Sequence, residues 1–563
     1  MQQLDVIVIL LFTVIILVAG LSFGKKGGDM KSFFAAGGAV PWPINGLSLF
    51  MSFFSAGTFV VWGSIAYEWG WVSVTIQMTM CVSGFIIGKF LAPKWKQTQV
   101  LTVAQYLTNR FGKRVQQYYT YIFLFLSLGY TGAFLYPVAK IVNVVTGFDI
   151  YYAILILGGI IMLYTAVGGL WAVVVTDVLQ FVILTAAVLI VLPLSLDQVG
   201  GMSTFLETAP DTFFKVFNGE YTPLFIFAFI GYNTIFIGGN WAYVQRYTSV
   251  ASVHNAKKVG YLFGALYLIS PLIWMLPPMI YRVIDPSLVG LETEGAYLMM
   301  CMAVLPIGML GLMLGGMIFA TASSVNTSLN LAAAVLTNDI YKPIFPNASN
   351  KRLMQVARMA TLLFGLGTVG VAFMVPMAGG IVEVVLSIGA VTGGALYGPA
   401  IWGLFSKRQT GASILWVTGI SLGVNLFFKF LSPALLSIKL DRSEEMFLGV
   451  GLPALLLGLY ELWARQRGSI SAHYAAFMQG KSAEAVENEG EVYDSLQQNK
   501  YGIRVLGLAF LAIGTIFIAL GVFADKGAIY TLAMGGLITL LGGFLIRSVT
   551  KKINLGKKSK LTN

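Results

Sequence analysis

Long apolar segments, separated by short polar stretches, repeat along the whole 563-residue chain. Each segment is about 20 residues long, which is the length of helix needed to cross the hydrocarbon core of a bilayer. The pattern predicts membrane-spanning helices at residues 4–23, 43–65, 69–92, 117–145, 150–170, 172–196, 222–243, 259–284, 300–338, 356–376, 379–405, 410–432, 446–464, 503–524 and 528–547. We therefore expect an all-α polytopic membrane protein with about 15 transmembrane helices.

Charge is distributed unequally between the loops that join these segments. One set of alternate loops, which includes residues 245–258 and 551–560, carries most of the lysines and arginines, whereas the other set includes the acidic stretch 285–295. Because basic loops stay on the cytoplasmic side, the N-terminus is predicted outside and the C-terminus inside. The expected location is a plasma membrane of the bacterial inner-membrane type.

The composition limits the classes of partner and chemistry. The chain is 57% hydrophobic and its net charge of +12 is accounted for by the basic cytoplasmic loops, so no nucleic-acid partner is expected. The two cysteines are isolated, so the sequence indicates no disulfide framework. The two histidines are far apart in sequence, so it indicates no metal cluster of these residues. The sequence shows no nucleophile–base–acid set of the kind that would indicate an enzyme. The expected partners are the lipid bilayer and a small solute, with no obligate protein partner evident.

A polar patch, "ATASSVNTSLN" at residues 320–330, interrupts one of the apolar segments. Ala320, Ser323 and Ser324 stand at positions i, i+3 and i+4, so they share one face of a helix. Two hydroxyls and a carbonyl directed at one point can hold a monovalent cation. The alternative is that small residues pack helices closely, but the density of polar residues favours an ion site.

Two further segments contain residues that can interrupt a membrane helix. Ser52, Ser55 and Thr58 recur at every third position of the second segment, and Gly238–Gly239 precede Asn240 in the seventh. Two interrupted helices five segments apart are typical of inverted repeats of five helices each. Packing glycines are the alternative explanation.

Few charged residues lie deep within the predicted spans. Lys140 and Glu383 lie near outer ends, where their side chains can reach the interface. Asp177 lies within its span with no cation near it in sequence, and such a carboxylate requires a partner. We interpret Asp177 as part of an ion path.

The motifs around these residues resemble those of a known family. The segment "YTAVGGLWAVVVTDVLQ" (164–180) resembles the signature of the sodium:solute symporter family, which includes the sodium/glucose transporters. Residues 320–342 are similar to the eighth core helix of that family, and "GNWAYVQR" (239–246) is similar to its sixth. The resemblance covers residues 5–430.

The resemblance implies a leucine-transporter-like fold, in which a leading helix precedes two inverted five-helix repeats. It divides the chain into a leading helix with its inner loop (1–42), a ten-helix transport core (43–405) and C-terminal helices (406–563). The last part includes an acidic cytoplasmic loop at 465–502, and its helices have no function that the sequence indicates.

The resemblance also implies a sodium ion between the first and eighth core helices, as the coupling ion and without an organic cofactor. Its ligands would be the carbonyls of Met51, Phe54 and Ala320 and the hydroxyls of Ser323 and Ser324. Asp177 matches an acidic position that the family uses on the sodium exit path and, in some members, in a second sodium site.

By the same resemblance, neutral side chains would line the substrate pocket: Ser55, Thr58, Gln77, Tyr130, Asn240, Trp241 and Tyr267. Hydroxyls, amides and aromatic faces suit a sugar. Thr58, Gln77 and Tyr267 depart from the family's galactose-type pattern, which has Gln, Glu and Lys there. Tyr130 stands where sialic-acid members have Arg, although Ser55, Thr58 and Gln77 match those members.

The sequence thus predicts a sodium-driven symporter that imports a small polar solute, with a monosaccharide favoured, by alternating access. Three alternatives remain open. The first is a symporter of sialic acid, another carboxylate or an amino acid. The second is a transporter-like sensor, although the chain shows no signalling domain. The third is a proton-coupled carrier, for which Asp177 is the one titratable candidate.

Overall fold

The computed structural model describes residues 2–22, 40–100, 102–164, 170–484 and 492–561. Part of the signature segment and parts of two predicted cytoplasmic loops, the basic one after the leading helix and the acidic one at 465–502, lie outside the described residues. The described chain is all-helical apart from its loops. Its one pairing of strand type is an isolated bridge between Asn218 and Tyr221.

The helices of the first half of the chain include long membrane helices and short connecting ones. Their bounds are α1 Gln3–Leu21, α2 Trp42–Met51, α3 Gly63–Trp69, α4 Val72–Ile86, α5 Ala92–Gln97, α6 Val103–Phe111, α7 Lys113–Thr146, α8 Ile150–Tyr164, α9 Leu170–Val199, α10 Met202–Thr208, α11 Pro223–Gly239, α12 Trp241–Thr248, α13 Val253–Trp274 and α14 Leu276–Ile284.

The second half continues in the same manner. Its helices are α15 Ala296–Val304, α16 Met309–Val335, α17 Lys342–Ile344, α18 Asn350–Met374, α19 Ile381–Phe405, α20 Gly411–Leu426, α21 Ser432–Leu435, α22 Arg442–Gln466, α23 Ala472–Glu484, α24 Val492–Val522 and α25 Ala528–Leu561. Short π-helical segments occur at Thr58–Trp62, Ile87–Leu91, Leu336–Tyr341 and Phe427–Leu431, and short 3-10 helices at Gly290–Gly295 and Pro376–Ala378.

The helices confirm a multi-pass membrane protein. Among the described residues, ten helices are long and apolar enough to cross a bilayer, or eleven if the bent pair α11–α12 is one span. Three further apolar helices are shorter, at Gln3–Ile16, Ile150–Gly159 and Met309–Val325. A helix occupies each of the predicted segments, but the count of 15 spans and the inverted repeat stay predictions.

Both predicted interruptions are present. α2 ends at Met51 and residues 52–55 are irregular before the chain becomes helical again at Ala56. The hydroxyl of Thr58 donates to the Phe53 carbonyl and accepts the Ser55 N–H at 3.2 Å, so one side chain satisfies two backbone groups within the break.

The second interruption bends α11 and α12 by 65°. Asn240 is extended (ψ 133°), and its side chain caps α12 by accepting the Ala242 N–H at 3.0 Å.

One predicted segment, 300–338, is wrong at its beginning, because the chain turns between α15 and α16. Leu305 is extended (ψ 138°), as expected for the residue before Pro306. Gly308 has φ +85°, a conformation that excludes helix and favours glycine. The helix that carries the polar patch therefore begins at Met309.

α2 and α16, the helix that carries the polar patch, share the neighbouring helix α9. α2 contacts α9, α12 and α13, and α16 contacts α1, α7 and α9. α4 packs closely against α13, since a Cβ added to Gly84 would come within 2.7 Å of the Gly264 backbone. Polar groups of α2, α9, α12 and α16 are thereby brought to one place within the membrane.

Candidate functional site

A cavity lies where α2, α7, α9, α12 and α16 meet. Among the thirteen residues predicted to bind sodium or substrate, six line this cavity: Met51, Tyr130, Asp177, Asn240, Ser323 and Ser324. Segments that are far apart in sequence therefore supply hydroxyl, amide and carboxylate groups to one space.

Three of the five predicted sodium ligands line the cavity. Ser323 and Ser324 line it from α16, and Met51 lines it from the end of α2. The Ser324 hydroxyl lies 3.4 Å from the Ala320 carbonyl, and Ser328 donates to the Ser324 carbonyl at 3.0 Å. Of the face predicted from helical spacing, Ser323 and Ser324 therefore line the cavity, whereas Ala320 does not.

Phe54 and Ala320 do not line the cavity, since their side chains are buried in the wall behind it. The groups predicted to bind sodium at these positions are carbonyls, however, and not side chains. Phe54 packs on Trp274 with 4.5 Å between ring centroids, which holds the irregular turn against α13.

Asp177 has a cationic partner that its own segment does not contain. The Arg246 guanidinium, on α12, lies 3.8 Å from the Asp177 carboxylate. Ser48 on α2 links the pair, because its hydroxyl donates to Asp177 at 2.5 Å and accepts from Arg246 Nε at 3.2 Å. The sequence signal for this partner was the arginine that ends the "GNWAYVQR" motif, just beyond the predicted seventh span.

Tyr130 and Asn240 form the more aromatic part of the cavity wall. The Tyr130 hydroxyl bonds with Thr392 at 2.6 Å, and its ring stacks on Phe236 at 5.7 Å. Asn240 donates to the Tyr397 hydroxyl at 3.2 Å. Neutral polar groups and aromatic faces thus lie together, an arrangement that suits a hydroxylated solute.

The other five predicted substrate residues are buried outside this cavity: Ser55, Thr58, Gln77, Trp241 and Tyr267. Trp241 stacks flat on Phe123 at 4.7 Å, and Tyr267 packs on Phe50 at 5.1 Å. In this conformation the structure does not bring the predicted substrate residues into a single pocket.

Gln77 combines burial with an unused hydrogen-bonding capacity. It is 2% exposed, and neither its amide nitrogen nor its amide oxygen has a partner among the described residues. It shares a face of α4 with Ser73, which bonds the Met275 sulfur, and with Gly84, which packs on Gly264. Gln77 therefore faces α13, the helix that carries Tyr267.

An unpaired buried amide costs free energy, typically about 1–3 kcal/mol, so Gln77 is a candidate for a bond with a ligand. Another buried donor in this part of the protein, Trp274 Nε1, is also unpaired within the described chain. The predictions from sequence did not include Trp274, because an aromatic residue in an apolar segment looks like ordinary packing.

No group of three or more His, Cys, Asp or Glu residues that could hold a metal ion occurs within the described ranges. The oxygens that line the cavity include the hydroxyls of α16, other neutral hydroxyls and the carboxylate of Asp177. Neutral oxygens suit a weakly bound monovalent ion such as sodium, which must be released in every transport cycle.

Comparison with known proteins agrees with these features. The model of the sodium:solute symporter family matches residues 33–420. Sodium/glucose cotransporter 1 of Mus musculus is 27% identical in an alignment 472 positions long that covers 75% of this chain and 71% of that protein. The sodium/glucose cotransporter of Vibrio parahaemolyticus is 28% identical, covering 76% and 85%.

A sodium-coupled monocarboxylate transporter 1 of Xenopus laevis is 29% identical over 76% of this chain and 73% of its own length. The fold is similar to that of a Na+-coupled sialic acid symporter in a substrate-bound outward-open state, with a TM-score of 0.68, 22% identity and coverage of 83% and 98%. The chain therefore belongs to the sodium:solute symporter family, and it is a membrane transporter and not an enzyme.

Proposed function

We propose that this protein imports a monosaccharide together with sodium by alternating access. The observation that carries the proposal is the single cavity that contains Ser323 and Ser324, the carboxylate of Asp177, and the polar groups of Tyr130 and Asn240. A cation site and a solute site that share one cavity can be coupled through the helices between them.

Sodium would bind between the carbonyls that end α2 and the hydroxyls of α16. The ligands are the carbonyls of Met51, Phe54 and Ala320 and the hydroxyls of Ser323 and Ser324. An ion held in this way links the interrupted helix to α16 and so favours one arrangement of the two. Coupling then follows from differential affinity, since sodium and solute each stabilise a state that the other also prefers.

The Glu294 carboxylate connects several elements on the side of the protein that the charge pattern predicts to be extracellular. It accepts the Ile381 N–H at 2.8 Å and the Tyr136 hydroxyl at 2.8 Å, and Lys140 lies 3.8 Å away. These contacts join the loop before α15 to α7 and to the first turn of α19. They support a conformation that is closed to the outside.

Sodium would leave past Asp177 toward the cytoplasm. Arg246 lies two residues before the end of α12, near the loop predicted to be cytoplasmic, and it can neutralise the Asp177 carboxylate after the ion departs. At 100 mV one translocated charge supplies about 2.3 kcal/mol, to which the sodium gradient adds.

A carboxylate solute is the second candidate, because Arg246 provides the cavity with the guanidinium that position 130 lacks. Its nitrogens are already engaged, however, with Ser48 at 3.2 Å, with the Ala242 carbonyl at 3.2 Å and with Asp177. A carboxylate would have to compete with Asp177 for it. A neutral sugar meets no such competition, so a monosaccharide is favoured.

The decisive experiment measures thermal unfolding of the purified full chain with D-glucose, D-galactose, sialic acid or lactate, each in sodium chloride and in potassium chloride. A ligand that binds the folded state raises the melting temperature by mass action. We expect a sugar to stabilise the protein in sodium only. Stabilisation by sialic acid or lactate would indicate a carboxylate solute in place of a neutral sugar. A melting-temperature shift that is equal in potassium would contradict sodium coupling.

Transport itself separates a symporter from a sensor with the same core. In proteoliposomes, an inward sodium gradient should drive accumulation of the stabilising solute above its external concentration. Binding without sodium-driven accumulation would instead indicate a sensor. A proton gradient that drives accumulation in the absence of sodium would indicate proton coupling.

A further inference from the structure

The interrupted helix is bonded to α16 at the point where it becomes helical again. The Ala56 N–H donates to Oγ1 of Thr321 at 3.1 Å, and the Thr321 hydroxyl donates in turn to the Met317 carbonyl at 2.9 Å. Thr321 is fully buried. Neither Thr321 nor Ala56 was predicted to bind ion or solute.

The Ala56 N–H needs a partner from elsewhere because the first N–H groups of a helical segment have no acceptor within it. Usually the side chain just before the helix supplies that acceptor. Here the backbone N–H of Ser55 bonds to Thr58 of the helical segment itself. The backbone N–H of Ala56 bonds to an acceptor on another helix, 265 positions away in sequence. A buried N–H that lost this bond could not turn to water instead.

Thr321 belongs to the same turn of α16 as the proposed sodium ligands. It directly follows Ala320, and Ser323 and Ser324 stand two and three positions later on the face that lines the cavity. One turn of α16 therefore lines the cavity that the end of α2 also lines, and through Thr321 it bonds to the start of the following half-helix.

We propose that Thr321 is a positioning residue that transmits sodium binding to residues 56–62, the half-helix that includes Thr58. The proposal rests on the sodium site of the proposed function. Sodium draws the end of α2 toward α16, and the bond from Ala56 to Thr321 makes the following half-helix move with it. Without that bond, the irregular residues 52–55 absorb the change and the half-helix stays loose.

The test is hydrogen exchange of the purified full chain in sodium chloride and in potassium chloride of equal ionic strength, because exchange rates report local opening. In the wild type, we expect sodium to slow exchange in peptides that cover residues 52–62. Thr321→Val keeps the branched shape but lacks the acceptor, and it should exchange about tenfold faster in sodium. Thr321→Ser keeps the hydroxyl and should retain the protection.

Thr368→Val is the matched control. Thr368 is also a buried threonine, and its hydroxyl donates to the carbonyl four residues earlier, as that of Thr321 does. Its substitution should leave the sodium effect on residues 52–62 unchanged. If Thr321→Val proves unstable, Thr321→Ala removes the same acceptor without the buried methyl groups and is compared with Thr321→Ser.

The proposal is overturned if Thr321→Val keeps full sodium protection of residues 52–62, or if Thr321→Ser loses as much protection as the valine variant. An equal loss of sodium protection in Thr368→Val would mean that the effect comes from general destabilisation. Absence of any sodium effect in the wild type would refute the sodium site itself. The wild-type result therefore tests the sodium site of the proposed function. The difference between the variants tests the positioning role of Thr321.

Discussion

Asp177 on α9 and Arg246 on α12 form an ion pair in the cavity wall, with 3.8 Å between Oδ2 and Nη2. The Ser48 hydroxyl of α2 bonds to both side chains. Only 9% of the Asp177 side chain and 5% of the Arg246 side chain are exposed, so each charge compensates the other where little solvent reaches them. One pair of charges, bridged by Ser48, thus connects three helices that border the cavity.

Arg246→Gln should destabilise the protein strongly, because it leaves the Asp177 carboxylate buried without a counter-charge. Removal of one partner from a buried pair costs about 3–5 kcal/mol. The double variant Asp177→Asn/Arg246→Gln should regain most of that loss, which thermal unfolding in detergent would show. Arg408→Gln is the control, since its pair with Glu461 is roughly a quarter exposed and should contribute less than about 1 kcal/mol.

Sodium efflux from proteoliposomes then distinguishes two roles of Asp177. If Asp177 assists sodium release, the double variant should be stable but slow. Wild-type efflux in that variant would mean that Asp177 serves only as the counter-ion of Arg246.

Ser324→Ala should raise the sodium concentration needed for half-maximal uptake, because it removes one of the proposed oxygen ligands. We expect an increase of about tenfold, which corresponds to about 1.4 kcal/mol of lost sodium affinity. Ser328→Ala is a matched control, since Ser328 lines the same cavity one turn further along α16. An unchanged sodium dependence in Ser324→Ala, or an equal change in the control, would mean that the site is misplaced.

Gln77→Met should have opposite effects on stability and transport. Replacing an unpaired buried amide with an apolar side chain of similar size removes a desolvation cost, so the empty protein should melt at a higher temperature. Affinity for the sugar should fall, because the amide is the group that would bind its hydroxyls. Gln116→Met provides the contrast: that amide donates to Thr120 at 2.8 Å, and its loss should destabilise the protein. Gln77 lies outside the cavity in this conformation, and unchanged sugar affinity in Gln77→Met would mean that it does not bind the sugar in another conformation either.

External pH should control opening through Glu294, which lies outside the membrane-spanning segments. Burial raises the pKa of Glu294 above its ordinary value, although the Ile381 N–H, Lys140 and Tyr136 partly oppose the shift. Opening would hydrate the carboxyl and lower its pKa again, so the closed state binds the proton more tightly. Acidification through the raised pKa therefore favours closure, and rising pH favours opening.

Uptake at saturating sodium should thus decline as external pH falls from neutral toward the ordinary glutamate pKa of about 4.3. Glu294→Gln resembles the protonated form and should show the low uptake of acidic medium across the whole range. A pH profile that is the same in Glu294→Gln and wild type would assign the dependence to another group.

Local pattern was sufficient for several features. The apolar segments, the irregular turn at residues 52–55 and the bend at Asn240 follow from residues that are neighbours in sequence, because helix periodicity and capping act within a few residues. The same periodicity placed Ser323 and Ser324 on one face, and the structure directs that face into the cavity. The prediction of segment 300–338 overlooked the turn at Pro306 and Gly308, because the apolar residues continue through it.

Tertiary packing decided the rest. The sequence by itself determined that the chain is a multi-pass helical protein with a polar face in one helix, and its motifs determined the family. It could not determine that Arg246 pairs with Asp177, that Thr321 binds Ala56, or that Gln77 lies outside the cavity with Asn240 inside it. Each of these depends on how helices far apart in the chain pack against one another, and residue spacing carries no information about such contacts.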